Sequence, residues 1–136
     1  MVPLLVDEVL RFDTPIAGMW RIAREDLELG GTHIPKGSIL MVRLDSANRD
    51  ETRFEDPDRF DIHRKGNIRH LSFGGGAHSC LGFRLARQEV ILAVPALLRR
   101  LKDVRIVEAR SDLGIVPSTH ARVLKALHLA FTPGGY

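Results

Sequence analysis

Apolar positions recur at helical spacing in two stretches of the sequence. Residues 3–12 predict a helix with an apolar face beside charged positions; Pro3 suits its first turn, and the Asp-Thr-Pro run at 13–15 ends it. Residues 83–101 show the same turn-by-turn recurrence and predict a longer helix. Pro95 lies inside this second helix and removes one backbone hydrogen bond, so a kink is expected there.

Between these helices the pattern changes to short extended segments separated by turn residues. Residues 19–44 predict strands, with turns at Gly30-Gly31 and at the Pro-Lys-Gly run 35–37. Residues 46–50 predict one helical turn. The composition of residues 48–65 is compatible with disorder, but the phenylalanines in this segment favour an ordered meander, a stretch that lacks regular secondary structure.

The end of the chain also shows the spacing of strands. Residues 104–107 predict a short strand, and residues 121–131 predict one or two more, followed by a tail over residues 132–136. Together with the two helices, these segments indicate an α+β fold. The sequence shows no internal repeat and no interdomain linker, so residues 1–136 are expected to belong to a single domain.

The composition restricts the class of protein. A chain of 136 residues with 44% hydrophobic and 27% charged residues is typical of a small soluble domain. It has no run of about 18 apolar residues and no signal-peptide pattern, which predicts no membrane span. The single cysteine excludes an internal disulfide and favours a reducing cytoplasm. The net charge of +3 comes from scattered basic residues, so nucleic-acid binding is not predicted.

The chemistry of the chain is concentrated in residues 73–82, Phe-Gly-Gly-Gly-Ala-His-Ser-Cys-Leu-Gly, called the Cys80 loop below. A lone cysteine is commonly a small buried apolar residue. Here Cys80 lies just before a predicted helix, where exposed N–H groups and the helix N-terminus favour the thiolate, the metal-binding form. The loop does not match a nucleotide-binding motif, because Ser79 replaces the third glycine of the dinucleotide fingerprint and no Gly-Lys-Ser/Thr follows.

The other available donors decide which kind of metal site Cys80 belongs to. A structural zinc ion needs three further ligands at short spacing, whereas this chain has no second cysteine and its histidines are dispersed. The histidines are His33, His63, His70, His78, His120 and His128. A single sulfur ligand, beside glycines that leave room for a flat partner, fits haem, whose porphyrin supplies the other four donors.

The Cys80 loop resembles the haem-binding motif of the cytochrome P450 family, Phe-x-x-Gly-x-x-x-Cys-x-Gly, with His78 at its usual basic position. Glu8-x-x-Arg11 resembles the Glu-x-x-Arg helix of that family, and residues 54–60 resemble its Phe-x-x-Pro-x-Arg-Phe segment. A Glu-x-x-Arg pair alone has little specificity, but the three motifs occur in the family's order. The resemblance extends over nearly the whole chain and corresponds to the C-terminal third or so of a soluble bacterial member.

The resemblance implies that residues 1–136 are a partial cytochrome P450 domain, the haem-ligating C-terminal portion of a mainly helical fold. Its expected parts are a first helix, a small β-sheet region, the meander, the Cys80 loop, the following helix and a terminal β-hairpin. The chain is accordingly expected to be a fragment: a truncated gene product, a partial reading frame or one part of a split enzyme. We expect it to have low stability by itself.

The resemblance also implies that the cofactor is haem b (iron protoporphyrin IX) and that Cys80 is the proximal thiolate ligand of its iron, whose electron donation favours O–O cleavage. His78 and Arg21 match positions that bind the haem propionates. Backbone N–H groups after Cys80 would hydrogen-bond the sulfur. The other residues expected to contact haem are Phe73, which would pack on the proximal side, Gly74, Leu81, Gly82 and Ala86.

Three residues match a structural ion-pair triad of the family, which joins the meander to the first helix: Glu8, Arg11 and Arg59. The triad is expected to be buried, so that removal of one partner would leave an uncompensated charge. Residues 16–19 and 118–121 are expected to line the distal pocket, with loop packing as the alternative interpretation.

Several basic residues flank the Cys80 loop in the sequence. A solvent-exposed face is one interpretation, whereas the resemblance implies a proximal surface that docks an acidic redox partner, such as a ferredoxin or flavodoxin. These residues are Arg64, Lys65, Arg69, Arg84 and Arg87.

For the function, the resemblance implies a haem-thiolate monooxygenase, an oxidoreductase that inserts one oxygen atom from O₂ into a small organic substrate. No catalytic residue is assigned within the chain, because the family's acid–alcohol pair, which delivers protons, has no counterpart in these residues. Two alternatives stay open: a haem-binding remnant or sensor without turnover, and a structural domain without haem.

Overall fold

A computed structural model of the chain describes residues 1–134, in which helices and short strands are combined. The α-helices are Val2–Asp13 (α1), Leu44–Ala47 (α2) and Phe83–Arg100 (α3). Single turns of 3-10 helix lie at Asn67–Arg69, Gly76–His78 and Glu108–Arg110. The strands are Gly18–Ile22 (β1), Leu27–Leu29 (β2), Thr32–Ile34 (β3), Ile39–Arg43 (β4), Leu101–Ile106 (β5), Asp112–Ile115 (β6), Leu124–Ala126 (β7) and Leu129–Pro133 (β8).

The strands pair in antiparallel ribbons of two. β1 pairs with β4, which places Trp20 opposite Met41. β2 pairs with β3 across the predicted turn at Gly30 and Gly31. These two glycines have φ values of 57° and 76°, which residues with side chains rarely adopt, and the turn is tight for that reason.

The end of the chain departs from the predicted pattern. β5 begins directly after α3 rather than at residue 104, and β6 is not predicted by the sequence. Of the one or two strands expected in residues 121–131, the structure has two, β7 and β8. They do not pair with each other, since β7 forms a hairpin with β6 and β8 pairs with β5. The predicted tail begins inside β8, and its residues 135 and 136 lie outside the described part of the chain.

The helices follow the prediction closely. α1 agrees with the predicted first helix to within one residue at each end. It ends at Thr14, whose φ is 30° and whose N–H donates to the carbonyl of Leu10 at 3.1 Å, so the helix stops before Pro15. α3 runs through Pro95 without interruption, and the kink stays a prediction. The helical turn expected at residues 46–50 is α2, which begins two residues earlier.

The core lies where α1, α2 and the meander meet, and polar side chains fill much of it. Its buried apolar side chains are Val6, Ala17, Ala23, Leu44 and Phe54, whereas the largest fully buried side chains are Arg11, Glu8, Asn48 and Thr14. The edge of the Phe60 ring contacts Phe12 of α1, with ring centroids 5.5 Å apart. The meander is therefore ordered against α1, as predicted.

Helix α3 is much more exposed to solvent than this core. None of the residues of α3 is buried, and its leucines at positions 85, 92, 97 and 98 are exposed. Within residues 1–134, the helices are too short or too polar to cross a bilayer.

Candidate functional site

The Cys80 loop is shaped by two glycines in the left-handed region. Gly74 has a φ of 72° and Gly76 a φ of 69°, conformations that strain other residues. The N–H of Gly74 donates to the carbonyl of Leu71 at 2.7 Å, and the N–H of Ser79 donates to that of Gly76 at 3.1 Å. The loop thus folds as two successive tight turns, which bring residue 80 back beside residue 73.

Cys80 is fixed by its backbone, while its side chain is exposed. Its N–H donates to the carbonyl of Phe73 at 2.8 Å, and its carbonyl accepts the N–H of Phe83, at the start of α3, at 3.3 Å. The thiol is free and exposed. These two hydrogen bonds hold Cys80 at the junction between the loop and the helix, as the sequence predicts.

The two residues after Cys80 face solvent. Leu81 is fully exposed, at 101% of its reference area, which places an apolar side chain in water beside the thiol. Among residues 1–134, the N–H groups of Leu81 and Gly82 have no protein acceptor, and no hydrogen bond reaches Cys80 Sγ. The expected N–H to sulfur hydrogen bonds therefore stay a prediction.

Phe73 is half-buried between two other rings. Its centroid lies 5.9 Å from that of His70 and 6.1 Å from that of Phe83, with the rings tilted. These residues line a cavity of about 510 Å³ beside the Cys80 loop. Burial lowers the pKa of His70, and its Nδ1 accepts the N–H of Ser72 at 3.2 Å, so its neutral form is favoured.

The structure brings Arg21 and His78 together, although β1 and the Cys80 loop are far apart in the sequence. Both side chains are exposed, and with Met19 they line one cavity of about 440 Å³. Arg21 Nη1 donates to the carbonyl of Trp20 at 2.8 Å, and no carboxylate pairs with Arg21 among the described residues. Two basic side chains thus line the same cavity, an arrangement that suits the binding of an acidic group.

The buried triad of charged side chains differs from the predicted one in its third member. Arg11 donates to both carboxylate oxygens of Glu8, at 2.9 and 2.8 Å, and both side chains are fully buried. The second cation on Glu8 is Arg64, 7% exposed, with its Nε 3.3 Å from Oε1. Arg59 is exposed and contributes only its carbonyl, which accepts from Arg11 at 3.2 Å and from Arg64 at 2.8 Å.

The charge of Glu8 is maintained by its partners. Burial alone would raise the pKa of Glu8, but hydrogen bonds from Arg11, from the N–H of Asp61 and from Arg64 favour the carboxylate and hold the pKa below its ordinary value. The triad joins α1 to the meander, as expected, but the meander supplies Arg64 in place of the Arg59 side chain.

A second ion pair joins the helices on either side of the Cys80 loop. Arg87 of α3 donates from Nε and Nη2 to the two carboxylate oxygens of Asp7 in α1, at 2.6 and 2.8 Å. The hydrogen bond to Asp7 raises the pKa of Arg87. Sequence reasoning missed Asp7, because an acidic residue beside Glu8 on an amphipathic helix predicts solvent exposure.

These two ion pairs reduce the basic surface that the sequence predicts. Arg64 and Arg87 are each paired with a buried carboxylate and are unavailable to an acidic partner. The remaining members, Lys65, Arg69 and Arg84, are exposed.

The two segments expected at the distal pocket meet in the structure. Ile16 and Ala121 form an antiparallel bridge, and the N–H of Ala17 donates to the carbonyl of His120 at 2.7 Å. The N–H of Arg122 donates to the carbonyl of Pro15 at 2.9 Å. Residues 15–17 are therefore joined to residues 120–122 through the backbone.

The residues around Cys80 fit a large, flat cofactor with acidic edges. They provide an exposed thiol, an exposed apolar side chain at Leu81, glycines without side chains, and the basic pair Arg21 and His78. Haem has these properties. Within residues 1–134, no group of three or more His, Cys, Asp or Glu side chains is arranged to hold a metal ion, so a zinc site built only from protein is not present there.

Comparison with known proteins places these features in a family. A family model described as Cytochrome P450 matches residues 1–114. The Steroid C26-monooxygenase of Mycobacterium tuberculosis (strain CDC 1551 / Oshkosh) is 39% identical over 133 residues, covering 98% of this chain and 36% of that protein. Cytochrome P450 107B1 of Saccharopolyspora erythraea is 44% identical over 114 residues, covering 83% of this chain and 28% of that protein.

Solved structures show the same likeness. Mycobacterium marinum cytochrome P450 CYP150A6 in the substrate-free form matches with a TM-score of 0.94 at 37% identity, covering 98% of this chain and 34% of that chain. The structure of cytochrome P450 CYP109Q5 from Chondromyces apiculatus matches with a TM-score of 0.89 at 42% identity. The chain spans about a third of the length of these relatives.

Proposed function

The chain belongs to the cytochrome P450 family, and we propose that it carries the haem-ligating portion of a haem-thiolate monooxygenase, with Cys80 as the iron ligand. The exposed thiol of Cys80, held at the start of α3 by the hydrogen bond from its N–H to the carbonyl of Phe73, is the observation that carries this proposal. The family uses haem; the proposed form here is haem b.

The proposal assigns residues 1–136 to one partial domain, in which the Cys80 loop and β1 hold the cofactor. Arg21 and His78 bind the propionates, because these two basic side chains line one cavity and have N–H groups that can donate to a carboxylate. Contacts to the macrocycle come from Phe73, Gly74, Leu81, Gly82 and Ala86. Leu81 in particular loses contact with water when an apolar ring system covers it.

When bound, the haem supplies the chemistry by which one oxygen atom from O₂ is inserted into a small organic substrate. The chain's own residues keep the thiol in place and orient the cofactor through its acidic edges. Residues 16–19 and 118–121, two segments that the Ile16–Ala121 bridge joins, face the substrate. Lys65, Arg69 and Arg84 attract an acidic redox partner, a ferredoxin or flavodoxin.

The test of thiolate ligation is spectroscopic. Haem is added to the protein, the iron is reduced, and carbon monoxide is bound; we expect an absorption band at the position that marks a thiolate ligand. Cys80→Ser should abolish that band. Ser79→Ala is the matched control, because it removes a neighbouring loop hydroxyl that donates only to the carbonyl of Gly76, at 2.9 Å. A wild-type protein that binds haem without the thiolate band would overturn the proposal.

Turnover distinguishes the monooxygenase from a haem-binding remnant or sensor. The haem-loaded protein is supplied with a reduced ferredoxin, O₂ and a panel of small organic substrates, and oxygenated products are measured by mass spectrometry. Substrate-dependent product supports the monooxygenase. A thiolate band with no product from any substrate would favour the remnant or sensor.

A further inference from the structure

We infer that Asn48 is a positioning residue for Cys80: a buried amide that sets the path of the chain into the Cys80 loop and thereby the placement of the thiolate. The inference rests on the proposed role of Cys80 as the iron ligand. Asn48 follows α2 as the first residue of the meander, and its side chain is fully buried.

Every hydrogen-bonding group of the Asn48 side chain is used. Nδ2 donates to the hydroxyl oxygens of Thr14 and Ser72, each at 2.9 Å. Oδ1 accepts the N–H of Leu71 at 2.6 Å. The carbonyl of Asn48 also accepts from Nη1 of Arg11, at 2.9 Å, which connects the residue to the buried Glu8–Arg11 pair.

The two hydroxyls next to Asn48 restrict which side chain suits this position. Thr14 Oγ1 donates to the carbonyl of Arg11 at 2.8 Å, and Ser72 Oγ donates to that of Leu10 at 2.6 Å. Because each hydroxyl has a single hydrogen, both can only accept from residue 48. The site therefore requires two donors and one acceptor, which asparagine provides and aspartate does not.

A short series of hydrogen bonds leads from Asn48 to the thiol-bearing residue. Asn48 holds the N–H of Leu71, and the carbonyl of Leu71 accepts the N–H of Gly74 at 2.7 Å. The carbonyl of Phe73 then accepts the N–H of Cys80 at 2.8 Å. A displacement at residues 71 and 72 is consequently transmitted to Cys80 through these backbone hydrogen bonds.

The chain contains a matched control for this position. Asn67 is also an almost fully buried asparagine, 3% exposed, and its Nδ2 donates to the carbonyl of Leu4 in α1 at 3.0 Å. Its side chain makes no hydrogen bond to residues 71–82. Asn48→Asp and Asn67→Asp therefore make the same chemical change at similarly buried sites. The side chain of Asn48 is hydrogen-bonded to residues 71 and 72, which lead into the Cys80 loop, whereas that of Asn67 is hydrogen-bonded to α1.

The experiment compares both variants in the haem-loaded full chain. The measurements are the fraction of the reduced carbon monoxide complex that shows the thiolate band, the apparent haem affinity and the free energy of unfolding. We expect Asn48→Asp to convert most of the complex to the neutral-thiol band. We also expect it to weaken haem binding about tenfold, as is typical when a residue that orients a metal ligand is replaced. We expect Asn67→Asp to lower stability but to keep the thiolate fraction of the wild type.

The outcomes separate this inference from the proposed function. A wild-type protein without the thiolate band contradicts the role of Cys80 itself. A wild-type thiolate band that Asn48→Asp and Asn67→Asp change equally overturns the role of Asn48 alone. If Asn48→Asp does not fold, Ser72→Ala decides, because it removes one of the contacts between Asn48 and the residues that lead into the Cys80 loop, together with the hydrogen bond from Ser72 to the carbonyl of Leu10. A thiolate fraction equal to that of Asn67→Asp would then reject the inference.

Discussion

Both oxygens of the Asp7 carboxylate accept hydrogen bonds from Arg87, at 2.6 and 2.8 Å, so α3 is joined directly to α1. The Asp7 side chain is almost completely buried, whereas Arg87 is about a quarter exposed. Because α3 starts immediately after the Cys80 loop, this ion pair also fixes where the loop ends. The position of Cys80 thus depends on a contact that none of the family motifs contains.

Asp7→Asn should destabilise the protein by about 1–3 kcal/mol, because Arg87 loses a bidentate, charged partner. Asp13→Asn is the control, since Asp13 is exposed and pairs with Arg122 only at 3.4 Å; its effect should be below about 1 kcal/mol. The measurement is the free energy of unfolding in urea. An equal decrease in the free energy of unfolding of the two variants would show that the buried Asp7–Arg87 pair stabilises the protein no more than the exposed pair does.

Arg64→Ala should reduce stability by about 1.5–3 kcal/mol, because Arg64 donates to the Glu8 carboxylate and to the carbonyls of Asp56 and Arg59. Arg59→Ala should change it by about 0.5 kcal/mol or less, since the exposed Arg59 side chain makes no ion pair among the described residues and the carbonyl is retained. Chemical denaturation of both variants checks this. A larger loss of stability for Arg59→Ala than for Arg64→Ala would support the triad that the motif predicts, with Arg59 as its third member.

Stability should decrease as the pH falls below 6.5, the ordinary pKa of histidine, because burial lowers the pKa of His70 in the folded protein. A lowered folded-state pKa means that the unfolded chain binds the proton first, so this contribution is complete above pH 6.5 and is lost as the pH falls through the folded value. Asp7 opposes the shift, while Arg87 and Arg11 reinforce it.

Measuring the free energy of unfolding against pH tests the role of His70. His70→Asn keeps an acceptor for the N–H of Ser72 and should flatten the curve in this range. The same substitution at His33, which is exposed on β3, is the control. A curve for His70→Asn that stays parallel to the wild type below pH 6.5 would contradict the assignment.

Arg21→Ala should weaken haem binding about tenfold or more, since a charge-assisted hydrogen bond contributes about 1.5–3 kcal/mol. Arg24→Ala removes a nearby exposed arginine that does not line the cavity with His78, and it should leave haem affinity unchanged. Transfer of haem to an apoprotein acceptor measures the affinity. Equal weakening in both variants would point to general surface charge rather than to a propionate contact.

The features that the sequence predicts correctly are those determined locally. Helical spacing and a left-handed residue at Thr14 define α1, and consecutive glycines define the Cys80 loop. The motif around residues 54–60 indicates that an arginine from the meander reaches Glu8. It does not indicate which one, because the path of the backbone between Arg59 and Arg64 decides which guanidinium points inward.

The features that the sequence misses depend on contacts between distant segments. β6 is short, contains Gly114 and has only exposed residues, so it lacks the alternation that marks a strand. β7 and β8 are adjacent in sequence but pair with different strands, which local spacing does not reveal. Asn48 stands in a polar stretch that predicts exposure, and only the meeting of α1 with residues 71 and 72 buries it.

The bridge between Ile16 and Ala121 has a consequence for the order of folding. It closes a loop that contains most of the chain, and the nearby ion pair of Asp13 with Arg122 joins residues 109 positions apart. The β2–β3 hairpin needs only a two-residue turn. Since the entropy lost on closing a loop grows with its length, and non-local contacts form slowly, we expect the hairpin and α1 to form early. The surface assigned to the substrate is then among the last parts of the molecule to assemble.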